Sequence, residues 1–135
     1  NGYVCFEISP GEHAVELNLD IAPMRWYSNP KVSENIGKVA VSRGPFIYCA
    51  EGVDNGEDLH CLRLPKDAAL SYEWQGDLLN GVGVISANGK RITGADTALY
   101  RAYDNTTVTE QPLKMIPYYA WANRGTNEMR VWLLE

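Results

Sequence analysis

The stretch Gly37-Lys-Val-Ala-Val-Ser-Arg-Gly-Pro-Phe-Ile-Tyr-Cys-Ala-Glu51 decides the fold class of this chain. Val39 and Val41 alternate with small or polar residues, Gly44-Pro45 interrupts, and Ile47 and Cys49 carry the apolar run onward. Alternation with a period of two marks a half-buried strand. A proline has no N–H to give to a ladder, so it fits a bend, a bulge or the first residue of a strand. The stretch therefore reads as two short strands meeting at Gly44-Pro45. Strands alone assign no chemistry.

Upstream, Val15, Leu17, Leu19 and Ile21 alternate without a fault against Glu16, Asn18 and Asp20. This is the most regular strand pattern in the chain, and residues 3–9 are expected as its hairpin partner. The turn between them, Pro10-Gly11-Glu12-His13, has a proline to fix φ and a glycine to accept a positive one. Residues 22–35, with Pro23 and Asn29-Pro30, read as a crossing loop, and a seam between two sheets or subdomains is expected near 28–37.

Downstream of Glu51, Gly52-Val-Asp-Asn-Gly56 reads as a turn-rich loop and 59–64 as a strand. Residues 65–70 could form one helical turn, too short to stand alone. Residues 72–74 look extended and 77–81 look like a turn. A strand at 81–87 is expected to reverse at Asn88-Gly89, a strong two-residue hairpin signal, and to return through 91–93. Residues 95–111 read mostly as loop, and two strands at 113–121 and 128–134 close the chain. Short strands at this spacing, with almost no helical periodicity, imply an all-β fold. The expectation is one jelly-roll-like β-sandwich of two antiparallel sheets over residues 1–135, with little or no helix.

Composition narrows the function classes. A chain of 135 residues that is 45% apolar can bury a core and is not disordered. The net charge of -5, with basic residues scattered from Arg25 to Arg130, argues against nucleic acid as a partner. Apolar runs of about five residues fall far short of the roughly 20 of a membrane helix, so no membrane partner is expected. Asn1 in place of a methionine reads as the start of a piece of a longer protein. The cysteines, Cys5, Cys49 and Cys61, are odd in number and form no C-x-x-C pair, which argues against a disulfide framework and favours a reducing, cytoplasmic compartment.

No constellation for catalysis emerges. His13 and His60 are the only histidines and stand 47 residues apart, too few for a zinc site of three or four clustered ligands. Glu51 with Asp54, or Glu57 with Asp58, could in principle form a glycosidase carboxylate pair. Among 17 acidic residues such neighbours arise by chance. Cys49 inside an apolar run reads as a small buried hydrophobe. The aromatics offer two readings: Trp26 and Trp74 as a platform for sugar rings, or aromatic packing in the core and at an interface. In residues 113–121 both strand faces are bulky, which favours packing, and Tyr118, Trp121, Trp132 and Leu134 are the interface candidates.

Three motifs together resemble the C-terminal region of glycoside hydrolase family 127, the β-L-arabinofuranosidase-like enzymes. The 37–51 stretch is similar to that family's GRVAL-RGPLVYC-E element, with Val41 and Phe46 as departures. Leu78-Leu79-Asn80-Gly81-Val82 is similar to its LLGGV, with Asn80 replacing a glycine. Ile116-Pro-Tyr-Tyr-Ala-Trp-Ala-Asn-Arg-Gly125 and Met129-Arg-Val-Trp132 resemble its closing segment, and Ile21-Ala-Pro-Met-Arg25 with Asn29-Pro30 resembles its LPMPVR…NP. The resemblance implies that catalysis sits upstream, in an (α/α)6 barrel whose cysteine nucleophile lies near zinc. It therefore implies no catalytic residue, metal ligand or cofactor in this chain, and a partner in the upstream barrel. Its implied role is an accessory sandwich that supports that barrel and dimerisation, with a carbohydrate-binding module as the alternative.

Overall fold

In the computed structural model, which describes residues 2–94 and 98–135, nine strands and a few short helical turns make one all-β unit. The deciding stretch forms β2 (Lys38–Arg43) and β3 (Phe46–Glu51), joined by Gly44-Pro45 and paired through Arg43↔Phe46. Gly44 has φ 55°. A glycine at positive φ followed by proline is what a type II′ hairpin connection calls for, and its twist matches that of the flanking strands. Before them, β1 (Pro23–Trp26) adds to β2 as an antiparallel neighbour, with its proline at the first position.

The remaining strands are β4 (Leu62–Arg63), β5 (Ser71–Gln75), β6 (Val82–Gly94), β7 (Thr106–Pro117), β8 (Met129–Arg130) and β9 (Leu133–Leu134). Pairing runs β2–β9–β4–β6–β7–β3 and returns from β3 to β2, so the two layers are joined at both sides into one continuous sheet. The pairings are antiparallel except for β4 with β9. Little helix is present, and the arrangement is consistent with a β-sandwich: two β layers face each other across a core.

That core is set by strand alternation. Val39, Val41, Tyr48, Ala50, Leu62, Ile85, Leu113, Met115 and Leu133 point to one interior and are buried. The opposite faces of β3, β6 and β7 carry Cys49, Val82, Val84 and Ile116, which form a second cluster under Ala120, Leu78, Leu79, Met129 and Val131. From Tyr48 to its end β3 is thus buried on both faces, as an apolar run there requires, while Phe46 and Ile47 at its start are exposed.

Several expectations are corrected. Asn88-Gly89 is not a hairpin turn: β6 runs straight through it, with Asn88↔Pro112 and Gly89↔Gln111 in unbroken register against β7. The glycine serves close approach instead. A Cβ at Gly89 would sit 3.0 Å from the Arg63 carbonyl oxygen and 3.1 Å from that of Gln111. Of the expected loop at 95–111, Thr106 onward is β7, while 95–97 lie outside the described residues. The strand expected at 113–121 stops at Pro117 and gives way to a 3-10 turn, Tyr118–Ala120. The last strand is two short ones, β8 on β3 and β9 on β2 and β4. The strand expected at 59–64 begins as a 3-10 turn, Leu59–Cys61. Residues 65–70 form a single turn closed by Ala68 N–H to the Pro65 carbonyl at 3.1 Å, without a helix.

The largest departure is at the N-terminus. Residues 2–22 carry no strand, and Val15, Leu17 and Leu19 are 62%, 77% and 61% exposed. Alternation reports which face a strand would bury, but it supplies no neighbour, and no edge of this sheet receives the segment.

The turn at 77–81 forms as expected, closed by Gly81 N–H to the Leu78 carbonyl at 2.8 Å. Leu79 and Asn80 both take positive φ, 51° and 63°. Asparagine tolerates that region better than most residues, which explains how it stands where the resembling motif has glycine.

Candidate functional site

Where β3 ends, a four-residue helix α1 (Gly52–Asn55) begins and β7 loses its neighbour. Asn55 fills the gap. Its buried side chain donates to the Glu51 and Lys114 carbonyls at 2.8 and 2.9 Å and accepts from Lys114 N–H at 2.9 Å, extending the β7 ladder without a strand.

α1 also sets up a charged cluster. Glu51 is fully buried on the outer face of β3. Arg124, from the loop after β7, meets Glu51 Oε2 and Asp54 Oδ2 at 2.5 Å each, and Asp54 Oδ1 at 3.0 Å. Ala122 N–H donates to Glu51 Oε1 at 2.9 Å, and Lys114 Nζ lies 3.3 Å from Asp54. Gly52 N–H donates to the Glu128 carbonyl at 2.9 Å, closing the far end of the loop. Residues 118–128 are therefore held at both ends and pinned in the middle. Ala122 sits at φ 64°, a conformation a non-glycine residue keeps when its surroundings over-determine it.

Burial alone would raise the Asp54 carboxyl, but the hydrogen bond and charge of Arg124, helped by Lys114, hold it below its ordinary range. The hydrogen bonds that Arg124 donates to Asp54 and Glu51 raise its guanidinium against its desolvation. The sequence singled out Glu51 and Asp54 as neighbouring carboxylates, and the structure joins them, though on one guanidinium. Glu51 is sealed from solvent, so no sugar reaches it. The arrangement is a pin. Arg124 was missed as a partner because 70 residues separate it from Asp54.

The pinned loop presents aromatics. Tyr118 and Trp121 are partly exposed with ring centroids 6.3 Å apart, and Tyr119 packs edge-on against Phe46 at 5.2 Å. Trp132 and Leu134, the other interface candidates, are half-buried. Trp132 lines an open cleft of about 500 Å³ with Tyr118, Asn35, Lys38 and Arg130. Leu134 is held in β9. Exposed Phe46 and Ile47 continue the apolar surface; nothing local marks them out, because they open the apolar run that leads into buried Cys49. Trp26 is half-exposed, its indole N–H donating to Ser42 Oγ at 2.7 Å, and Trp74 is exposed over Gly81. β1 pairs with β2 and β5 with β6, so no shared strand pairing brings these two tryptophans together.

Zinc, which the resemblance places upstream, finds no fit among the described residues: no three His, Cys, Asp or Glu side chains are gathered to hold a metal. Cys5 is exposed, Cys61 half-buried and Cys49 buried. Burial pushes the Cys49 thiol up to about 12, with Glu51 adding to the rise and Arg124 opposing it. A thiol that stays protonated is inert. Native protein treated with a maleimide at about pH 8 should react at Cys5 within minutes and at Cys49 only after unfolding. Mass-spectrometric mapping that finds Cys49 labelled at the rate of Cys5 would contradict the burial argument.

The chain matches known proteins along most of its length. The family model for the glycoside hydrolase family 127 C-terminal domain matches residues 23–134. A non-reducing end β-L-arabinofuranosidase of Bifidobacterium longum is 39% identical over 142 aligned residues, covering 97% of this chain and 21% of that protein. Among solved structures, a family 127 β-L-arabinofuranosidase from Geobacillus stearothermophilus T6 superposes with a TM-score of 0.81 at 44% identity. It covers 85% of this chain and 18% of the other. A second family 127 β-arabinofuranosidase gives 0.74 at 35% identity, over 85% of this chain and 17% of its own. The chain thus spans about a fifth of the length of these relatives. With its deciding hairpin, its pinned loop and its closing strands all inside the matched span, this chain belongs to the glycoside hydrolase family 127 C-terminal domains.

Proposed function

We propose that this chain is a non-catalytic accessory β-module of a glycoside hydrolase acting on β-L-arabinofuranosides. In this reading it packs against an upstream (α/α)6 catalytic barrel of the same polypeptide and takes part in dimerisation. The observation that carries it is the match to a C-terminal domain within relatives about five times longer, at up to 44% identity. The cluster around Arg124 supports it: it holds a loop of aromatics in place and spends the Glu51/Asp54 carboxylates on one guanidinium, with Glu51 sealed from solvent. Tyr118 and Trp121, with Trp132 in the cleft that Tyr118 also lines, are the surface through which packing would occur, and Leu134 in β9 is the remaining candidate.

The isolated chain should not turn over aryl β-L-arabinofuranosides, with or without zinc, and should bind the upstream domain supplied in trans. Light scattering on wild type and Trp132→Ser tests the second point, the variant binding more weakly. Turnover abolished by a single cysteine or carboxylate substitution would refute the reading. A carbohydrate-binding role is the competing outcome: it requires saturable quenching of tryptophan fluorescence by arabinose-containing oligosaccharides, lost on Trp74→Ala, because Trp74 is the most exposed tryptophan.

A further inference from the structure

The outer face of β6 and β7 changes character part-way along. Val82 and Val84 are buried there under Leu78, Leu79, Met129 and Val131. Beyond them that cover ends, and the cross-strand pairs Ser86↔Lys114, Asn88↔Pro112 and Lys90↔Glu110 are half-buried or exposed. Asp54 of α1 stands on one side of this floor, and Asp67 and Ala69 of the turn at 65–70 stand on the other. Between these walls lie three hollows of about 540, 280 and 450 Å³, and Asn88 lines all three. They join into one trough that follows β6 from Ser86 to Lys90, about 14 Å at the rise of a strand. It stays open because the side chains of Ala69, Ser71 and Ser86 are short.

The chemistry of the lining selects a ligand class. Ser86 and Asn88 are exposed, and neither side chain has a hydrogen-bond partner among the described residues. A serine hydroxyl and a carboxamide each donate and accept, which matches a ligand whose own groups do both. The charges at the two ends cancel: Lys114 Nζ lies 3.3 Å from Asp54, and Lys90 Nζ lies 3.8 Å from Glu110. Asp67 tips the balance to the negative side, so nothing here draws a polyanion. β6 and β7 spend the backbone groups between them on each other, so the floor gives a peptide no strand edge to join. The Pro112 ring adds a flat apolar surface beside Asn88. Short donor–acceptor side chains, one apolar ring and no net cation suit a neutral, polyhydroxylated chain.

We propose that this trough is a glycan-binding site, which holds a neutral oligosaccharide through Ser86 and Asn88 with a sugar ring lying on Pro112. The ligand class rests on the reading of this chain as part of a glycoside hydrolase; the trough itself does not depend on it. None of its lining residues belongs to the surface of Tyr118, Trp121 and Trp132, so packing and glycan binding are compatible. The site is also distinct from a platform at Trp74, whose ring leans over Gly81 on the side of β6 that Ile85 occupies.

Amide NMR of the 135-residue chain, whose spectrum also reports folding, locates the contact. Titration with a neutral arabinose-containing oligosaccharide should move the amides of 86–90 and 110–114 saturably, and an oligomer of hexuronic acid should bind more weakly. Asn88→Ala should weaken binding about fivefold, as for the loss of one neutral hydrogen bond. Ser86→Tyr, which fills the trough from an exposed strand position, should abolish it, and Trp74→Ala should leave it unchanged. Absence of saturable shifts, equal binding of the hexuronate, or loss on Trp74→Ala with binding intact in Asn88→Ala would overturn the proposal. In the longer polypeptide, Ser86→Tyr should reduce retention on an immobilised neutral arabinose-containing polysaccharide, and unchanged retention would also overturn it. A longer polypeptide that hydrolyses no arabinofuranoside yet keeps this Ser86-dependent retention would leave the trough standing and remove the functional reading.

Discussion

Arg124→Met is expected to lower the unfolding free energy by about 3–5 kcal/mol, the range for breaking a buried ion pair by removing one partner. The Glu51 carboxylate has no exposed surface, so water cannot replace the guanidinium. It would keep the Ala122 N–H at 2.9 Å and a long 3.5 Å contact from Asn127, too little for a buried charge. Asp54 would retain Lys114 and suffer less. The pH dependence has a definite sign. Arg124 and Lys114 hold the Asp54 carboxyl below the ordinary aspartate value. A depressed folded value contributes stability that is present above the unfolded pKa of about 4 and is lost as pH falls through the folded one. Arg124→Met should therefore flatten the acid limb below about pH 4 as well as lower the plateau. Denaturant unfolding across a pH series measures both. Adding Glu51→Gln to Arg124→Met should recover part of the loss, because the charge left without a partner is removed. A loss under about 1 kcal/mol, typical of exposed pairs, would show that the cluster is not a pin.

Leu133→Ala should cost about 2–5 kcal/mol, the range for truncating a buried leucine. The residue is buried in the inner core, and its strand is only two residues long. That strand nonetheless joins β2 to β4: Val39 pairs with Leu133, Arg63 pairs with Leu134, and Leu64 N–H donates to the Leu134 carbonyl at 2.8 Å. A cavity here removes packing from the place where the sheet closes, and the short ladder cannot hold by itself. Leu99→Ala, at 91% exposure, is the matched control and should fall within about 0.5 kcal/mol of wild type. Equal behaviour of the two variants in thermal unfolding would mean that β9 frays freely and does not close the sheet.

The β character, the Gly44-Pro45 hairpin, the turn at 77–81 and the family were legible in the residues because each is local. Period-two alternation, a glycine before a proline and ordered short motifs need no knowledge of what lies across the sheet. The pin was half-legible: Glu51 and Asp54 stand three residues apart, but Arg124 reaches them only through the fold. Asn88-Gly89 shows the limit most clearly. The pair satisfies every local condition for a hairpin, and the chain runs straight because β7 and the Arg63 carbonyl lie close enough to need a position without a side chain.

The sequence by itself determined what each segment could do: which faces can be buried, where φ can turn positive, and that strands rather than helices form. Tertiary structure alone decided which of those options was taken. A strand is stable only when another strand satisfies its backbone and another face covers its apolar side chains. Residues 38–51 find both within this chain, and residues 3–20, with the cleaner pattern, find neither.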